Sequence, residues 1–500
     1  MPNVEPKNVA PIMFGLMLSL FLANLDQTIV ATCLPAIAHD LQGWELLTWI
    51  ISAYLVTSTA TTPIYGRLSD HYGRRPVMLA SIAIFVLASI FCALANTMPL
   101  LIAARILQGL GGGGLRSISL IVIADIIPPR YRGQYQGYMS TAFLIATTLG
   151  PVLGGFFAEH LSWRWAFWIN LPLGAIAFVV VNRQLRNLKI PTMPHKIDWL
   201  GALLILASAV PLMIGISRVE QEGGWLHWPV IFPILLGIAA TAALVGVELR
   251  VTEPMIPMRL FANKVFTVGN IAIFAPSMVL TALVVIVPLY YQIVLKWPAD
   301  QAGLQLIALT GGMAIGTFIV GSVISRLGRA KMFALASGLA ATALCVLISY
   351  AGLGRSVLFD VVCTTLLGAA LGCQINPLNL IVQNGLEIRD IGAGVAGLTF
   401  FRSLGGAFGV AAFSTFLIGR LAAGAVLVPG HEKLGADPGI GLLRQDAVYA
   451  FDGTQLAAFT GVLQHAFALV FILAAGISLA SVFAVATINE SPLRTSTGRR

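Results

Sequence analysis

The chain has 500 residues, of which 57% are hydrophobic and only 10% are charged. A soluble globular protein carries about 25% charged residues, so this composition excludes a soluble domain with a single core. The net charge of +9 would suit a nucleic-acid partner, but the placement of the basic residues along the chain instead favours a lipid bilayer as the surroundings.

Long apolar runs recur from Pro11 to Thr487, and short polar loops separate them. A bilayer-spanning helix needs about 20 mostly apolar residues, and backbone groups in lipid must bond within their own segment. Each run therefore predicts one transmembrane helix. The fourteen predicted spans lie at 11–33, 46–65, 77–95, 99–123, 137–158, 165–182, 198–217, 229–248, 266–294, 303–324, 332–352, 357–383, 393–418 and 461–487.

Lysine and arginine residues are divided unevenly between the two sides that these spans define. Twenty lie on the side that holds both chain ends, seven lie on the opposite side, and three lie inside spans. Because cytoplasmic loops are enriched in Lys and Arg, the bias predicts cytoplasmic termini and an external loop at 419–460. The alternation also supports the span count, since one missed span would reverse every later loop.

An internal repeat appears at an offset of 255 residues. The segment Gly66–Arg75 corresponds to Gly321–Ala330, and Gly150–Gly155 corresponds to Gly405–Val410. Parallel repeats of this kind are a transporter architecture, in which the substrate binds between the halves near the membrane midplane.

We therefore predict an all-α polytopic membrane protein. Two six-helix bundles would occupy residues 1–190 and 261–500, and two additional helices in 191–260 would link them.

Several segments resemble the major facilitator superfamily, and more narrowly its fourteen-helix drug:proton antiporter branch. Motif A of the superfamily matches Gly66–Arg75, the first-helix motif matches Leu25–Val30, and motif B matches Arg105–Gly109. The antiporter motif C matches Gly150–Gly155, and Trp163–Pro172 resembles a further signature of the branch. The resemblance covers nearly the whole chain, and its ordered set of motifs is specific.

The resemblance implies a proton-coupled exporter of small organic molecules or drugs, antibiotics among them, that works by alternating access in a bacterial inner membrane. It implies protons as the coupling ion and no bound cofactor, metal or enzymatic activity. Two residues depart from the family pattern, because His71 stands where an arginine is usual and Ser325 replaces the aspartate of the second motif A.

Asp26 is the only acidic residue well inside a predicted span. A central charge costs about 2.5–3.5 kcal/mol on insertion scales, so such residues usually face a cavity and act in function. Arg105 is the obvious counter-charge, and a permanent structural ion pair is the alternative. The resemblance assigns both residues to proton coupling.

Helical spacing places Arg105, Gln108, Gly112 and Arg116 on one face of the fourth span. Such a stripe is expected to line water or the central cavity. Arg116 would contact an anionic substrate or extend towards cytoplasmic lipid phosphates, and we favour the second interpretation.

The loop after the second span is interpreted as an ion-pair latch on the cytoplasmic face. Two arginines and a short turn lie near two carboxylates, and the residues concerned are Gly66, Asp70, Gly73, Arg74, Arg75 and Asp125. The resemblance implies that Asp70 docks near Gly392–Gly394, where a helix N-terminus favours a carboxylate. A loop that is merely basic is the alternative.

The antiporter motif supplies a proline kink and a flat helix surface through Gly150, Pro151, Gly154 and Gly155. Helix packing alone explains this composition, and the antiporter role comes from the resemblance.

Polar side chains inside several spans are candidate liners of a substrate cavity. They are Asn24, Gln27, Gln108, Arg116, Asn270, Tyr290, Tyr291, Gln292, Asn376, Asn379, Gln383 and Arg402. Hydrogen bonding between helices explains each of them equally well.

Two other functions remain open from the sequence. One is a facilitator or symporter that imports a metabolite, and the other is a non-transporting receptor or assembly factor, which has no need of buried charge. A small molecule and the bilayer are the expected partners, nucleic acid is excluded, and a periplasmic adaptor protein is left open.

Overall fold

A computed structural model of the chain describes residues 6–42, 46–186, 198–221, 224–251, 254, 257–297, 299–387, 390–425, 453–489 and 492–493. Within these residues the chain is helical apart from short connections. The helices are α1 (Pro6–Leu41), α2 (Leu47–Tyr72), α3 (Arg74–Ala93), α4 (Met98–Ile126), α5 (Pro129–His160), α6 (Trp165–Trp168), α7 (Asn170–Leu185), α8 (Trp199–Gln221), α9 (Trp228–Glu248), α10 (Arg259–Ala262), α11 (Lys264–Ile293), α12 (Ala299–Leu327), α13 (Lys331–Ala351), α14 (Val357–Gly385), α15 (Ile391–Ala425) and α16 (Gly453–Ala486). Residues 426–452 of the predicted external loop lie outside the described part.

Thirteen helical segments of the described part are long and apolar enough to cross a membrane. The predicted span 46–65 corresponds to α2, which is 26 residues long but more polar than the others. The hydroxyl groups of Thr57, Thr61 and Thr62 donate to carbonyl oxygens one turn earlier, at 2.7–2.8 Å. These polar side chains are therefore satisfied inside the helix, and the predicted all-α membrane fold is confirmed.

The two halves of the chain repeat the same helix packing. In the N-terminal half α1 packs on α5, α2 on α4, and α3 on both α4 and α7. In the C-terminal half α11 packs on α15, α12 on α14, and α13 on both α14 and α16. Each pair thus has its counterpart, in the order that the 255-residue repeat requires.

The halves meet mainly where α5 crosses α12 and where α2 crosses α15. Glycines permit close approach at the first crossing, because a Cβ on Gly133 would lie 2.8 Å from the Cα of Gly321. Both crossings lie towards the end of the bundle that holds the turn between α2 and α3, which we call the α2–α3 end. The halves are packed together at this end.

Helices α8 and α9 form a hairpin that lies against both halves. Ala202, Ile205 and Leu244 of the hairpin pack with Ile64 of α2. Further along, its residues Ile216, Val219 and Val230 pack with Ala411 of α15. The extra helix pair therefore covers the junction of α2 and α15.

Candidate functional site

Asp26 lies in α1 and is fully buried inside the N-terminal bundle. Arg105 of α4 is buried as completely, and its Nη1 atom lies 2.6 Å from Asp26 Oδ2. Arg105 Nε also donates to the carbonyl oxygen of Ile50 in α2 at 3.1 Å. Asp26 and Arg105, which the sequence analysis proposed as partners, are thus in contact. Together they join α1, α2 and α4.

Two amide side chains complete the surroundings of the Asp26 carboxylate. Gln108 Nε2 and Asn170 Nδ2 donate to Asp26 Oδ1 at 2.9 and 2.7 Å. Both amides also donate to Ser89 Oγ of α3, at 2.7 and 3.2 Å. Every hydrogen bond to the carboxylate comes from an N–H group, an arrangement that fits the ionised form of Asp26. We call Asp26, Ser89, Arg105, Gln108 and Asn170 the Asp26 cluster.

Aromatic rings close the cluster on the guanidinium side. Arg105 Cζ lies 4.5 Å from the ring centre of Tyr54 and 5.9 Å from that of Phe167, within the range of cation–π attraction. Among the described residues, neither Arg105 Nη2 nor the buried Tyr54 hydroxyl has a hydrogen-bond partner. Buried polar atoms without partners are rare. Within the described part, the Arg105 guanidinium therefore keeps one unused donor beside its ion pair with Asp26.

Three of these residues were not assigned to a site from the sequence: Ser89, Asn170 and Tyr54. Asn170 lies in the Trp163–Pro172 signature, where an amide at the start of an apolar helix is a usable signal. Serine and tyrosine within a span carry no such signal, because both are common there as satisfied or interfacial residues.

The predicted polar stripe along α4 does not line a single cavity. Arg105 and Gln108 are closed inside the bundle, Gly112 lies directly against the Tyr54 hydroxyl, and only Arg116 is half-buried. This corrects the placement of Gln108 among the cavity liners. Helical spacing identifies a face of α4 but not the helices that cover it.

The latch residues are joined by Arg74 at the start of α3. Its Nη2 atom lies 2.5 Å from Asp70 Oδ1 in α2, and its Nε atom lies 2.8 Å from Asp125 Oδ2 in α4. Arg75 donates to Asn182 Oδ1 in α7 at 2.6 and 3.1 Å. The two arginines therefore tie α2, α4 and α7 to the start of α3, and the loop is more than a merely basic one.

Asp70 and Gly66 also contact the other half of the protein. A Cβ on Gly392, the second residue of α15, would lie 2.7 Å from Asp70 Oδ1. One turn earlier, a Cβ on Gly66 would lie 2.7 Å from the Cβ of Ala396. Gly73, at the turn itself, has a φ of +91°, which favours glycine. The α2–α3 turn is thus fitted against the N-terminal turn of α15.

The glycines of the antiporter motif bring α5 against α1. Gly150 and Gly154 both lie on this contact, and a Cβ on Gly154 would lie 2.8 Å from the carbonyl oxygen of Ile29. Gly155 has open space around it, so its missing side chain serves no contact in this conformation. Pro151 lies within α5, and its side chain is outside the described part. The motif packs on the helix that carries Asp26.

Arg116, Gln27 and Arg402 lie where the halves face each other. Arg116 Nη2 donates to Gln27 Oε1 of α1 at 2.7 Å. Arg402 of α15 lies close enough to Arg116 for the two guanidinium groups to repel each other. This geometry does not match the favoured extension of Arg116 towards lipid phosphates. Asn24 is half-buried and donates to a carbonyl oxygen of its own helix at 2.7 Å.

The candidates on α14 lie at the contact between the halves. Asn376 Nδ2 donates to the carbonyl oxygen of Gly133 at 3.1 Å, and Gln383 Oε1 accepts from Arg132 Nη1 at 3.1 Å. Both bonds cross from α14 to α5 near the α2–α3 end. In this conformation Asn376 and Gln383 therefore hold the two halves together, which corrects their placement in a cavity. Asn379 of the same helix is half-buried.

The candidates on α11 belong to the C-terminal bundle itself. Asn270 is buried and donates to its own helix, at the carbonyl oxygen of Phe266. Near the other end of α11, the Tyr290 hydroxyl donates to the carbonyl oxygen of Leu353 at 2.8 Å, and Tyr291 is fully buried in the core. Only Gln292 is half-buried. Asn270, Tyr290 and Tyr291 are thus packing residues here, because other C-terminal helices cover them.

A second ion pair lies at the opposite end of the bundle. Arg164 Nη1 and the Trp163 indole donate to Asp40 Oδ2 at 2.7 and 2.9 Å, and Arg164 Nη2 donates to the carbonyl oxygen of Ala95. The Arg164 guanidinium, helped by the indole, holds the pKa of Asp40 below its ordinary value. Part of the Trp163–Pro172 signature therefore ties α1 and α3 to the start of α6.

Comparison with known proteins gives a consistent picture. The family model described as Major Facilitator Superfamily matches residues 16–410. The multidrug transporter protein MdtP of Bacillus subtilis is 32% identical over 401 residues, which cover 79% of this chain and 73% of that protein. Efflux pump FUS6 of Gibberella fujikuroi is 31% identical over 427 residues, covering 82% and 76%. Multidrug resistance protein 3 of B. subtilis is 31% identical over 404 residues, covering 81% and 78%.

Solved structures share the fold at low sequence identity. The human organic anion transporter MFSD10 superposes with a TM-score of 0.64 at 18% identity, covering 96% of this chain and all of that one. The proton:xylose symporter XylE superposes with a TM-score of 0.58 at 14% identity, covering 98% of each chain. At these identities the likeness concerns the fold alone.

Proposed function

The chain belongs to the Major Facilitator Superfamily and is a membrane transporter rather than an enzyme, and from that premise we propose that it exports small organic molecules in exchange for protons. Its relatives named as multidrug transporters and efflux pumps support the outward direction. The observation that carries the coupling is the Asp26 cluster, where a fully buried carboxylate meets a fully buried guanidinium.

Protonation of Asp26 would change the bonding of the whole cluster. The carboxylate receives three N–H donors from Arg105, Gln108 and Asn170. A neutral carboxyl group carries a hydrogen of its own and accepts these bonds more weakly, and Arg105 loses its counter-charge. A buried charge without a partner is costly, and this cost would separate the protonated and ionised states of the N-terminal bundle.

These two states would bias alternating access. In the conformation described here Asp26 is placed as an ion, and the halves are closed at the α2–α3 end by the crossings of α2 with α15 and α5 with α12. A proton that enters from the opposite end would favour opening of the α2–α3 end, where it is released. After release of the proton, substrate would bind at the opened α2–α3 end. The return to the conformation described here would then carry the substrate to the opposite end.

The orientation follows from the distribution of charge. We place the α2–α3 end in the cytoplasm of a bacterium, in its inner membrane, because the basic residues are concentrated on that side. A cysteine introduced near residue 435 should react with an impermeant thiol reagent added to intact cells. Reaction only after the membrane is broken would reverse the orientation. An adaptor protein is not required by this proposal.

The decisive experiment compares wild type with Asp26→Asn in proteoliposomes. Asn keeps the shape of the protonated carboxyl group but cannot release a proton. Uphill efflux driven by a pH gradient should disappear, while exchange of substrate without a gradient persists at least in part. Asp40→Asn, which changes a carboxylate far from the cluster, is the matched control and should keep both activities.

Two results would contradict the proposal. Uphill efflux retained by Asp26→Asn would mean that the proton travels elsewhere and that the ion pair is structural. Uptake of substrate together with protons, in the wild-type protein, would make the chain an importer. In cells, the proposal predicts that expression raises resistance to some toxic compounds, antibiotics among them.

A further inference from the structure

Two arginines from different halves of the protein face each other between α4 and α15. Arg116 and Arg402 are both half-buried and lie close enough for mutual repulsion. Among the described residues neither arginine is part of an ion pair. The carboxylate of Asp26 in α1 already accepts hydrogen bonds from Arg105 and two amides, and it forms its ion pair with Arg105.

Both arginines lie next to the apolar contact that closes the α2–α3 end. Towards the α2–α3 end, Ile121 and Ala124 of α4 pack against Ile391 and Val395 of α15. Arg116 lies just over one turn of α4 beyond that apolar contact. Arg402 lies about two turns of α15 beyond it, on the same side. The arginines therefore lie directly above the closure between the halves.

Donor groups near Arg116 remain without acceptors. Arg116 uses Nη2 to bind Gln27 Oε1 at 2.7 Å, but its buried Nε atom has no partner among the described residues. The same holds for the buried Nε2 atom of Gln27. Hydrogen-bond donors thus outnumber acceptors at this place, and the surplus carries positive charge.

Such a site attracts an anion and repels a cation. Two like charges in a poorly solvated place raise the energy of the empty site, and a bound anion offsets that repulsion. Arginine also recognises carboxylate and phosphate oxygens through paired N–H groups. Attachment to lipid headgroups would require Arg116 to reach the membrane surface, but it binds Gln27 and faces Arg402 instead.

We propose that Arg116, Arg402 and Gln27 form the binding site for the anionic group of an organic substrate, such as a carboxylate. This inference rests on the proposed function, since it names the substrate class of the same transporter. Because the two arginines belong to different halves, the anion would be held between them, and opening at the α2–α3 end would separate its ligands.

Proximity to the Asp26 cluster gives the site a route of coupling. Tyr54 lies between the two places: its ring covers Arg105, and its hydroxyl is within electrostatic reach of both Arg116 and Asp26. Arg105 and Arg116 also lie on the same helix, three turns apart. A shift of α4 on protonation of Asp26 would therefore move Arg116 relative to Arg402.

Three probes that share one apolar body and differ in charge test the site: 2-naphthoate, 2-naphthamide and 2-naphthylmethylammonium. Binding to the purified full-length protein is measured by calorimetry. Wild type should prefer naphthoate to naphthamide by about tenfold, as expected for one charge-assisted contact. Arg402→Gln and Arg116→Gln should remove that preference, Arg402→Lys should keep part of it, and Arg420→Gln, at an exposed position of the same helix, should leave it unchanged.

Several outcomes separate this inference from the proposed function. Equal binding of the three probes by wild type, or equal loss of naphthoate and naphthamide in Arg402→Gln, would overturn the anion site. Proton-driven export of the ammonium probe alone would leave the exporter standing and refute the anion site. Charge-selective binding that depends on Arg402, without any uphill transport, would support the site and refute the exporter.

Discussion

Asp70 of α2 lies with its carboxylate against the backbone of Gly392 at the start of α15, so that a Cβ on Gly392 would come within 2.7 Å of Asp70 Oδ1. Arg74 holds the same carboxylate from behind, at 2.5 Å. The carboxylate therefore has little freedom to withdraw. Closure of the two halves at this end depends on the absence of a side chain at position 392.

Gly392→Ala is expected to weaken this closure. A destabilisation of one to two kcal/mol corresponds to a factor of about 5–30 in the closed population, so the maximal rate of efflux should fall by at least about fivefold. The rate is measured as pH-driven efflux in proteoliposomes. Gly419→Ala on the same helix is the control, because nothing lies within 4 Å of its position. Equal efflux rates for the two variants would show that closure at the α2–α3 end does not depend on Gly392.

Asp70→Asn should lower turnover while substrate affinity stays within about twofold of wild type, since Asp70 lies outside the proposed binding site. The neutral amide loses its ion pair with Arg74, which keeps Asp125 as a carboxylate partner and Ser69 Oγ as an acceptor. Turnover and equilibrium binding are measured on the same preparation, with Asp40→Asn as the control. A collapse of affinity with normal turnover would make Asp70 a binding residue.

The buried ion pair predicts a characteristic pattern of stability. Removing one partner of a buried pair costs about 3–5 kcal/mol, because the other charge stays uncompensated. We expect both Asp26→Asn and Arg105→Gln to lower the melting temperature in detergent, and the double variant to be more stable than Arg105→Gln alone. The same cycle on Asp40 and Arg164, which are partly exposed, should give little coupling. If the losses of the two single variants simply add up in the double variant, Asp26 and Arg105 do not form an ion pair of two charged groups.

Asn170→Ala should slow pH-driven efflux. The Asn170 amide donates to Asp26 Oδ1 at 2.7 Å and to Ser89 Oγ at 3.2 Å, and the variant loses both bonds. A hydrogen bond to a charged group is worth about 1.5–3 kcal/mol, so the rate of efflux in proteoliposomes should fall by about tenfold or more. Gln374→Ala is the control: that buried amide bonds to Ser481 in the other half. A wild-type rate in Asn170→Ala would separate Asn170 from the coupling at Asp26.

The ion pair of Asp40 and Arg164, at the end of the bundle opposite the α2–α3 end, should contribute less to stability. Its pKa lies below the ordinary value of 3.8 because Arg164 and Trp163 bind the ionised form. The pair therefore stabilises the protein above that ordinary pKa, and the contribution is lost as the pH falls through the lowered value. Arg164→Gln should cost no more than about 1 kcal/mol at pH 7, since the pair is partly exposed. The difference in melting temperature between Arg164→Gln and wild type should be smaller near pH 3 than at pH 7.

Hydropathy and charge by themselves predicted the all-helical membrane fold and singled out Asp26, and the repeated segments predicted two related halves. These are properties of local sequence: an apolar run of sufficient length has one solution in lipid, and a lone carboxylate inside such a run is visible without neighbours. The boundaries differ most for α1 and α5, which continue as helices beyond the apolar runs at 11–33 and 137–158. Helical hydrogen bonding does not end where hydrophobicity does.

Which residues meet was decided only by the tertiary structure. Spacing along α4 placed Arg105 and Arg116 on one face, but α2 covers the first with Tyr54, whereas the second is left opposite Arg402. Likewise Asn376 was a candidate for a cavity, although the crossing of α5 and α14 turns it into a contact between halves. A sequence period fixes the face of a helix. The neighbour on that face depends on the long-range packing of the membrane helices, for which no local pattern carries the information.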